Sequence, residues 1–377
     1  MSAAADSPLQ RLTALGQSVW IDFLSRESIR GGHLQQLIDN DSVVGATSNP
    51  TIFQKAMAEG DAYDEQLREL AASGSDAGAS FWALAETDIG EACARFAPVW
   101  EQTKHRDGYV SIEVDPRLAY ETLGTFREAT RLHDTIDRPN LMVKIPATKP
   151  GLASIEDMVA SGRSINITLI FSLRRYAEVA ESYLRGLERL VAAGGDPGKV
   201  ASVASFFVSR IDTEADRRLD EIGGHDELKG KLAIANARLA YRHYQEVFSG
   251  ARWEFLLAKG ASAQRVLWAS TSTKNPDYPD TLYVEELIGP DTVNTMPEET
   301  IRAYQDHGDP QPRLLSGIEQ AQAVFEGFKE AGVDYDDITD TLEREGVQKF
   351  SDSFEQLQAS LQRKQEALTS KESVSAR

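Results

Sequence analysis

Residues 140–146 read NLMVKIP, and residues 163–171, shortly after them, read RSINITLIF. In both segments the side chains alternate in polarity, as in a β-strand whose two faces meet different surroundings. The apolar face of the first segment is formed by Leu141, Val143 and Ile145. Its other face carries Met142 and Lys144. Because lysine is almost never buried without a partner, this strand indicates a protein interior that contains polar groups.

Similar apolar, β-branched runs recur along the chain, with helical patterns between them. They are SVWIDFL at 18–24, SVVGATS at 42–48, GYVSIEV at 108–114, KVASVASFFV at 199–208, RVLWAST at 265–271 and DTVNTMP at 291–297. One helical pattern begins after Ser172, a suitable N-cap, and ends at Gly194-Gly195. Strands that alternate with helices predict parallel βα units, and eight such units predict a closed (β/α)8 barrel.

The predicted fold class is therefore α/β: a (β/α)8 TIM barrel with extra N-terminal and C-terminal helices. The chain has 377 residues, more than the ~250 that such a barrel needs, and we expect residues 1–377 to form one catalytic domain. Residues 1–8 and about 365–377 have the composition of frayed termini. An open doubly wound sheet is the alternative, but the glycine-rich phosphate loop that usually follows its first strand is missing after Leu24.

Composition limits the classes of function. Lys and Arg number 40 and Asp and Glu 59, a formal net charge of −19, and such a surface repels the phosphates of nucleic acid. No segment approaches the roughly 18 uninterrupted apolar residues of a membrane helix, and residues 1–10 lack the pattern of a secretory signal. The single cysteine, Cys93, fits a reducing compartment. We therefore expect a cytoplasmic protein with neither nucleic-acid nor membrane partners.

Four of the predicted strands direct polar or ionisable side chains inward, among them Asp22, Glu113, Lys144, Asn166 and Thr168. Burial favours the neutral amine of a lysine, and this amine attacks a carbonyl to give a Schiff base. Two carboxylates in different surroundings can divide the acid and base steps of that chemistry. The alternative is structural: a carboxylate that only neutralises Lys144, and a hydrogen-bonded polar layer in the barrel. The number of inward polar groups favours catalysis.

Six segments in chain order resemble the transaldolase family. They are VWIDFLSR, GATSNPTIF, SIEVDPRLA, MVKIPAT, INITLIFS and SFFVSRID; the later WASTSTKNPDYPDTLYVEELIG is similar to the longer bacterial branch. The resemblance extends from about Val19 to about Ser353 and implies a barrel enzyme that needs no cofactor and no metal. The sequence agrees, because its six histidines form no HxH or HExxH pattern.

The resemblance implies a role for each matching position. Lys144 takes the place of the Schiff-base lysine, Asp22 that of the acid–base aspartate, and Glu113 with Thr168 that of the pair that positions the catalytic water. The remaining matches are implied to bind substrate: Asn49 and Asn166 at the dihydroxyacetone part, Ser205 at a hydroxyl, Phe207 in the site wall, and Arg210 and Ser270 at the phosphate.

One loop departs from the family pattern. Many transaldolases have a second arginine just beyond the serine of the seventh strand, whereas residues 270–274 here read STSTK. Lys274 either replaces that cation or is an exposed loop lysine, and both readings stay open.

The resemblance also implies a reaction of the non-oxidative pentose phosphate pathway. A dihydroxyacetone unit would pass from sedoheptulose 7-phosphate or fructose 6-phosphate to glyceraldehyde 3-phosphate or erythrose 4-phosphate. The alternatives are a fructose 6-phosphate aldolase that releases free dihydroxyacetone, and a barrel without catalysis that serves as a scaffold. The aldolase is shorter and typically has glutamine and tyrosine where this chain has Glu113 and Phe207, which favours transfer. Sugar phosphates are the expected partners; monomer and homodimer both remain open.

Overall fold

The computed structural model describes residues 7–58 and 60–375. Eight parallel strands follow one another around a closed barrel. They are β1 (Gln17–Ile21), β2 (Val43–Thr47), β3 (Val110–Glu113), β4 (Leu141–Pro146), β5 (Ile165–Ile170), β6 (Ser202–Phe207), β7 (Arg265–Ala269) and β8 (Thr292–Met296). The barrel closes where β1 pairs with β8, with Gln17 opposite Thr292. Each run expected to be a strand overlaps one of these strands, so the prediction of a (β/α)8 barrel is confirmed.

Helices lie before, between and after the strands. Up to β5 they are α1 (Pro8–Ala14), α2 (Arg26–Arg30), α3 (His33–Asn40), α4 (Pro50–Ala58), α5 (Asp64–Ala72), α6 (Ala77–Gln102), α7 (Thr122–Ile136) and α8 (Gly151–Ala160). After β5 they are α9 (Leu173–Ala192), α10 (Ser209–Ile222), α11 (Leu232–Val247), α12 (Gly250–Ala258), α13 (Leu282–Glu286), α14 (Glu298–His307), α15 (Ile318–Glu330) and α16 (Tyr335–Ser375). Across residues 7–58 and 60–375, no helix has the length and apolar character required to cross a membrane.

Local sequence signals explain how these elements begin and pack. The predicted N-cap of α9 is confirmed, because the Ser172 side chain accepts a hydrogen bond from the Arg175 N–H. Past the end of α9, Gly194 has a φ of 79°, a conformation that L side chains rarely adopt. Inside the barrel, Gly45 leaves space for the indole of Trp20, since a Cβ at position 45 would lie 2.6 Å from that ring.

A buried polar cluster closes the barrel at the amino-terminal ends of the strands. The guanidinium of Arg265 lies 2.9 Å from the carboxylate of Asp107, and both side chains are 8% exposed. Ser18 Oγ and Trp20 Nε1 also donate hydrogen bonds to Asp107. Arg265 donates two further bonds, to Ser18 Oγ and to the carbonyl oxygen of Arg106. The two buried charges thus stabilise each other within a shared network.

Helix α16 crosses the opposite end of the barrel, where the strands terminate. At Gly346 it approaches β5 so closely that a Cβ there would lie 2.9 Å from Leu169 Cδ2. Further along, Ser353 Oγ lies 2.8 Å from Thr51 Oγ1 of α4. The ring of Phe354 packs edge-on against Phe81 of α6 at 5.1 Å between centroids. These contacts hold α16 over the mouth of the barrel.

The C-terminal segment differs from the expectation of a frayed end beginning near residue 365. Helix α16 continues to Ser375. Gln365 is buried, and its Nε2 donates a hydrogen bond to Ser80 Oγ. The amphipathic pattern of α16 therefore remains packed beyond the point where composition alone suggests fraying. At the other end Ser7 caps α1; residues 1–6 and 376–377 lie outside the described residues.

Strand β5 also departs from the simple alternation expected of it. Ile165, Asn166 and Ile167 follow the two-residue period, but Leu169 has a φ of 60°. The pairing of β5 with β6 shifts register between Ile167 and Ile170. Leu169 consequently contacts α16 at the barrel mouth, and the predicted alternation ends at Thr168.

Candidate active site

A cavity of about 310 Å³ opens at the carboxyl ends of the strands, next to α16. Nine of the eleven predicted site residues line it: Asp22, Asn49, Lys144, Thr168, Ser205, Phe207, Arg210, Ser270 and Lys274. The other two, Glu113 and Asn166, contact lining residues from below. The structure therefore brings all eleven side chains together at the end of the barrel where (β/α)8 enzymes carry their active sites.

A larger cavity of about 780 Å³ lies at the amino-terminal end of the barrel. Arg265 on its wall is already paired with Asp107. The smaller cavity is the better candidate for chemistry, because it combines a buried amine, carboxylates and a guanidinium.

Lys144 lies on β4 with its side chain only 6% exposed. The strand register sets it beside Glu113 on β3 and Asn166 on β5, so three polar side chains enter the barrel from neighbouring strands. Its Nζ donates a 3.0 Å hydrogen bond to the carbonyl oxygen of Ser48 and lies 3.4 Å from Glu113 Oε2. The amine is thereby held at the floor of the cavity.

Asp22 directly follows β1, and its carboxylate faces the same cavity. Thr47 Oγ1 donates a 2.7 Å hydrogen bond to Asp22 Oδ1. Burial raises the pKa of Asp22, while the nearby charge of Lys144 and the bond from Thr47 act against that increase. A carboxyl group with a raised pKa exchanges a proton more readily near neutral pH, which suits an acid–base role.

Glu113 and Thr168 present buried oxygens with unused hydrogen-bonding capacity. Burial raises the pKa of Glu113, and the charge of Lys144 opposes this effect. Beyond the ion-pair contact with Lys144, Glu113 Oε2 has no hydrogen-bond partner among the described residues, and neither has Thr168 Oγ1. Since buried polar atoms are normally satisfied, these two oxygens are suited to bind a water molecule or a substrate hydroxyl.

Neighbouring side chains fix the orientation of the two asparagines. Asn166 Nδ2 donates to Ser111 Oγ at 3.1 Å, and Asn166 Oδ1 accepts a 2.7 Å bond from Ser205 Oγ. Asn49 Oδ1 accepts the N–H of Ile52 at 3.0 Å at the beginning of α4. The amide of Asn49 therefore contributes to helix capping as well as to the cavity wall.

Cationic groups gather on the side of the cavity formed by α10 and the loop after β7. Arg210 lies 5.3 Å from the centroid of the Phe207 ring; partial burial lowers its pKa, and the charge of Asp22 opposes the decrease. Ser270 has a φ of 57°, and its Oγ lies 2.9 Å from Ser209 Oγ. Lys274 is exposed, yet its Nζ donates to Ser272 Oγ at the cavity wall. This arrangement is suited to bind an anionic group.

Comparison with known proteins supplies the family. A family model described as "Transaldolase/Fructose-6-phosphate aldolase" matches residues 19–361. The chain belongs to the transaldolase/fructose-6-phosphate aldolase family. Among similar members, the transaldolases of Mycobacterium tuberculosis and Acidothermus cellulolyticus are each 52% identical over 358 residues, covering 94% of this chain and 96% of theirs. The transaldolase of Parafrankia sp. is 54% identical over 353 residues, covering 93% of this chain and 96% of that protein.

For this member of the transaldolase family, sequence reasoning missed several lining residues. Thr47 and Thr295 lie beside Asp22, with 2.7 Å between their hydroxyl oxygens. Thr47 was detectable, because it stands in the GATSNP segment at the end of a predicted strand. Lys55 on α4 and Lys349 on α16 carried no such signal, since their positions depend on how two helices cross the barrel mouth. Within the described part of the chain, no group of three or more His, Cys, Asp or Glu side chains is arranged to hold a metal ion.

Proposed function

We propose that the protein is a transaldolase that moves a dihydroxyacetone unit between sugar phosphates through a Schiff base on Lys144. The observation that carries this proposal is the buried amine of Lys144 in a cavity that it shares with the Asp22 carboxylate and the Arg210 guanidinium. Such a cavity offers a nucleophile, a proton carrier and an anion-binding group together. The transaldolases that are 52–54% identical over nearly the whole chain support the same reaction.

The reaction begins at the C2 carbonyl of a ketose phosphate such as sedoheptulose 7-phosphate or fructose 6-phosphate. Lys144 Nζ attacks this carbon, and the carbinolamine loses water to give an iminium ion. The oxygens of Glu113 and Thr168 bind the water that leaves and later returns. Arg210 and Ser270, with Lys274, bind the phosphate and align the sugar.

Cleavage then requires removal of one proton and displacement of one electron pair. Asp22 accepts the proton of the C4 hydroxyl while the C3–C4 bond breaks. The electron pair of that bond moves into the iminium, which becomes an enamine, and the aldose phosphate leaves with a new carbonyl group. The positive nitrogen serves as the electron sink, while Asp22 holds the proton for the second half of the reaction.

The second half reverses these steps with a different aldehyde. The enamine carbon attacks the carbonyl carbon of glyceraldehyde 3-phosphate or erythrose 4-phosphate, and Asp22 returns its proton to the new hydroxyl oxygen. Water adds to the iminium, the ketose phosphate is released and the amine of Lys144 is restored. This chemistry corresponds to the non-oxidative pentose phosphate pathway, and the acidic chain with one cysteine fits a cytoplasmic location.

Borohydride trapping tests the proposal directly. Incubation with fructose 6-phosphate and borohydride, followed by peptide mass mapping, is expected to give a dihydroxyacetone-sized adduct on Lys144. Prior addition of erythrose 4-phosphate is expected to remove the adduct, because the acceptor consumes the enamine. Lys144→Arg is expected to abolish the adduct, whereas Lys149→Arg, which changes an exposed lysine after the same strand, leaves it unchanged.

Two other outcomes would redirect the assignment. Release of free dihydroxyacetone as the main product, with or without an acceptor, would indicate the aldolase activity that the family description also covers. An absence of adduct on every lysine, with circular dichroism confirming a folded protein, would overturn the Schiff-base mechanism and favour a non-catalytic barrel.

A further inference from the structure

Four cationic side chains converge on the cavity at the barrel mouth: Lys55, Arg210, Lys274 and Lys349. Among the residues that the structure describes, none of the four forms an ion pair with a carboxylate within 4 Å. Two carboxylates line the same cavity, Asp22 and Glu299. Four cations gathered in one place, without an ion pair to any described carboxylate, are unusual in a chain of net charge −19. They indicate an anion-binding site larger than Arg210 alone provides.

Lys349 is the member of this group that lies on α16. It lies three residues after Gly346, which contacts Leu169 of β5, and four residues before Ser353, which contacts Thr51 of α4. Residues three and four apart share one face of a helix. The two contacts therefore hold this part of α16 at the rim of the cavity. Lys349 is exposed there, the next residue, Phe350, is buried, and both side chains line the cavity.

The electrostatic surroundings of Lys349 agree with this position. The charge of Arg210 lowers its pKa most strongly, followed by partial burial and by the charges of Lys274 and Lys55. Repulsion between Lys349 and these three cations destabilises the site when no anion is bound. A phosphate dianion between these groups would relieve that repulsion and gain charge-assisted hydrogen bonds.

We propose that Lys349 binds the phosphate of the sugar substrate together with Arg210 and Lys274, so that α16 helps to select phosphorylated over non-phosphorylated sugars. The proposal rests on the transaldolase function given above, and it adds a residue from the C-terminal helix to the phosphate site. Lys349 is a binding residue and not a catalytic one in this proposal, because the phosphate is remote from the sugar carbons at which bonds break and form.

The first test measures phosphate binding without catalysis. Inorganic phosphate is titrated calorimetrically into the wild-type protein and into Lys349→Met, Lys349→Arg and Arg363→Met. Arg363 is an exposed cation of the same helix and donates a hydrogen bond to Ser360 Oγ, one turn away, so its variant controls for the loss of one positive charge. Lys349→Met is expected to weaken binding about 10-fold, the lower end for loss of a hydrogen bond to a charged group. Lys349→Arg is expected to stay within about 3-fold of wild type, because it keeps the charge.

The second test separates recognition of the phosphate from chemistry. With saturating sedoheptulose 7-phosphate, the KM for glyceraldehyde 3-phosphate is expected to rise about 10-fold in Lys349→Met, whereas kcat and the KM for non-phosphorylated glyceraldehyde remain unchanged. Equal phosphate affinity in Lys349→Met and wild type would overturn the proposal. An equally large loss of phosphate affinity in Arg363→Met would also overturn it, because any positive charge on α16 would then have the same effect.

These results distinguish the new inference from the function on which it rests. If Lys349→Met weakens phosphate binding but the wild type forms no borohydride adduct on Lys144, the phosphate site is supported and the transaldolase mechanism is refuted. If the wild type forms the adduct on Lys144 and phosphate binding is unchanged in Lys349→Met, the mechanism is supported and Lys349 is not part of the phosphate site.

Discussion

Replacement of Asp107 by asparagine removes the negative charge that faces Arg265 inside the closed end of the barrel. The two groups are 2.9 Å apart and 8% exposed, so water can replace little of the lost interaction. Loss of one partner from a buried ion pair typically costs about 3–5 kcal/mol, because the other charge remains buried and unpaired. We expect Asp107→Asn and Arg265→Met each to lower the free energy of unfolding by about that amount.

The double variant makes this prediction specific to the pair. With both charges gone, no uncompensated ion remains, so the double variant is expected to be less destabilised than the sum of the single changes by about 2–3 kcal/mol. Urea denaturation followed by tryptophan fluorescence measures the free energy of unfolding for wild type, both single variants and the double variant.

The borohydride adduct on Lys144 serves as a check on the native fold, because the active site lies at the opposite end of the barrel. All variants that remain folded at low urea are expected to form it. Single costs below about 1 kcal/mol, or costs that simply add, would refute the reasoning that this cluster is a coupled, desolvated ion pair.

Three further predictions concern other parts of the molecule. Asp22→Asn is expected to slow transfer by about 100- to 10,000-fold. Because the C3–C4 bond then breaks slowly, the adduct that borohydride traps on Lys144 should have the mass of the whole sugar phosphate. A three-carbon adduct would contradict the role of Asp22 in cleavage. Burial raises the pKa of Asp212 to about 7. The folded protein therefore binds the carboxyl proton more tightly than the unfolded chain does, and the resulting stabilisation is lost as the pH rises from about 4 to 7. In Asp212→Asn the fall in unfolding free energy from pH 5 to pH 8 should be smaller by about 2–3 kcal/mol, and equal pH profiles by urea denaturation would disprove this. Phe354→Ala is expected to cost about 3–5 kcal/mol, since this ring is 1% exposed; a urea midpoint like that of wild type would show that α16 is held by other contacts.

The central site residues were predictable because they lie on strands with a simple period. Lys144 interrupts an otherwise apolar segment, and the two-residue alternation directs Glu113 and Asn166 into the same interior. Their neighbourhood follows from the barrel topology alone, since parallel strands in chain order bring successive polar positions together. Family resemblance then connected these positions with Asn49, Arg210 and Ser270 in the connecting segments.

Features that depend on the path of a helix across the barrel were not predictable in this way. The sequence around Lys349 indicates a helix, but nothing in it shows that this face meets the cavity and not solvent. The same limitation applies to Gln365, whose polar surroundings resemble a loose tail although it packs against Ser80. Leu169 fits the strand period in sequence, whereas its positive φ is determined by the shift in pairing with β6.

The pairing of β1 with β8 has a consequence for the nascent chain. Gln17 and Thr292, which are hydrogen-bonded through their side chains, lie 275 positions apart. At about 5–20 residues per second, translation takes roughly 15–55 s to supply the second residue after the first. During that interval one edge of β1 has no strand to pair with, and exposed strand edges are sites of aggregation. The ribosome-bound chain is therefore vulnerable until its last strand emerges, and chaperones would be most useful in that interval.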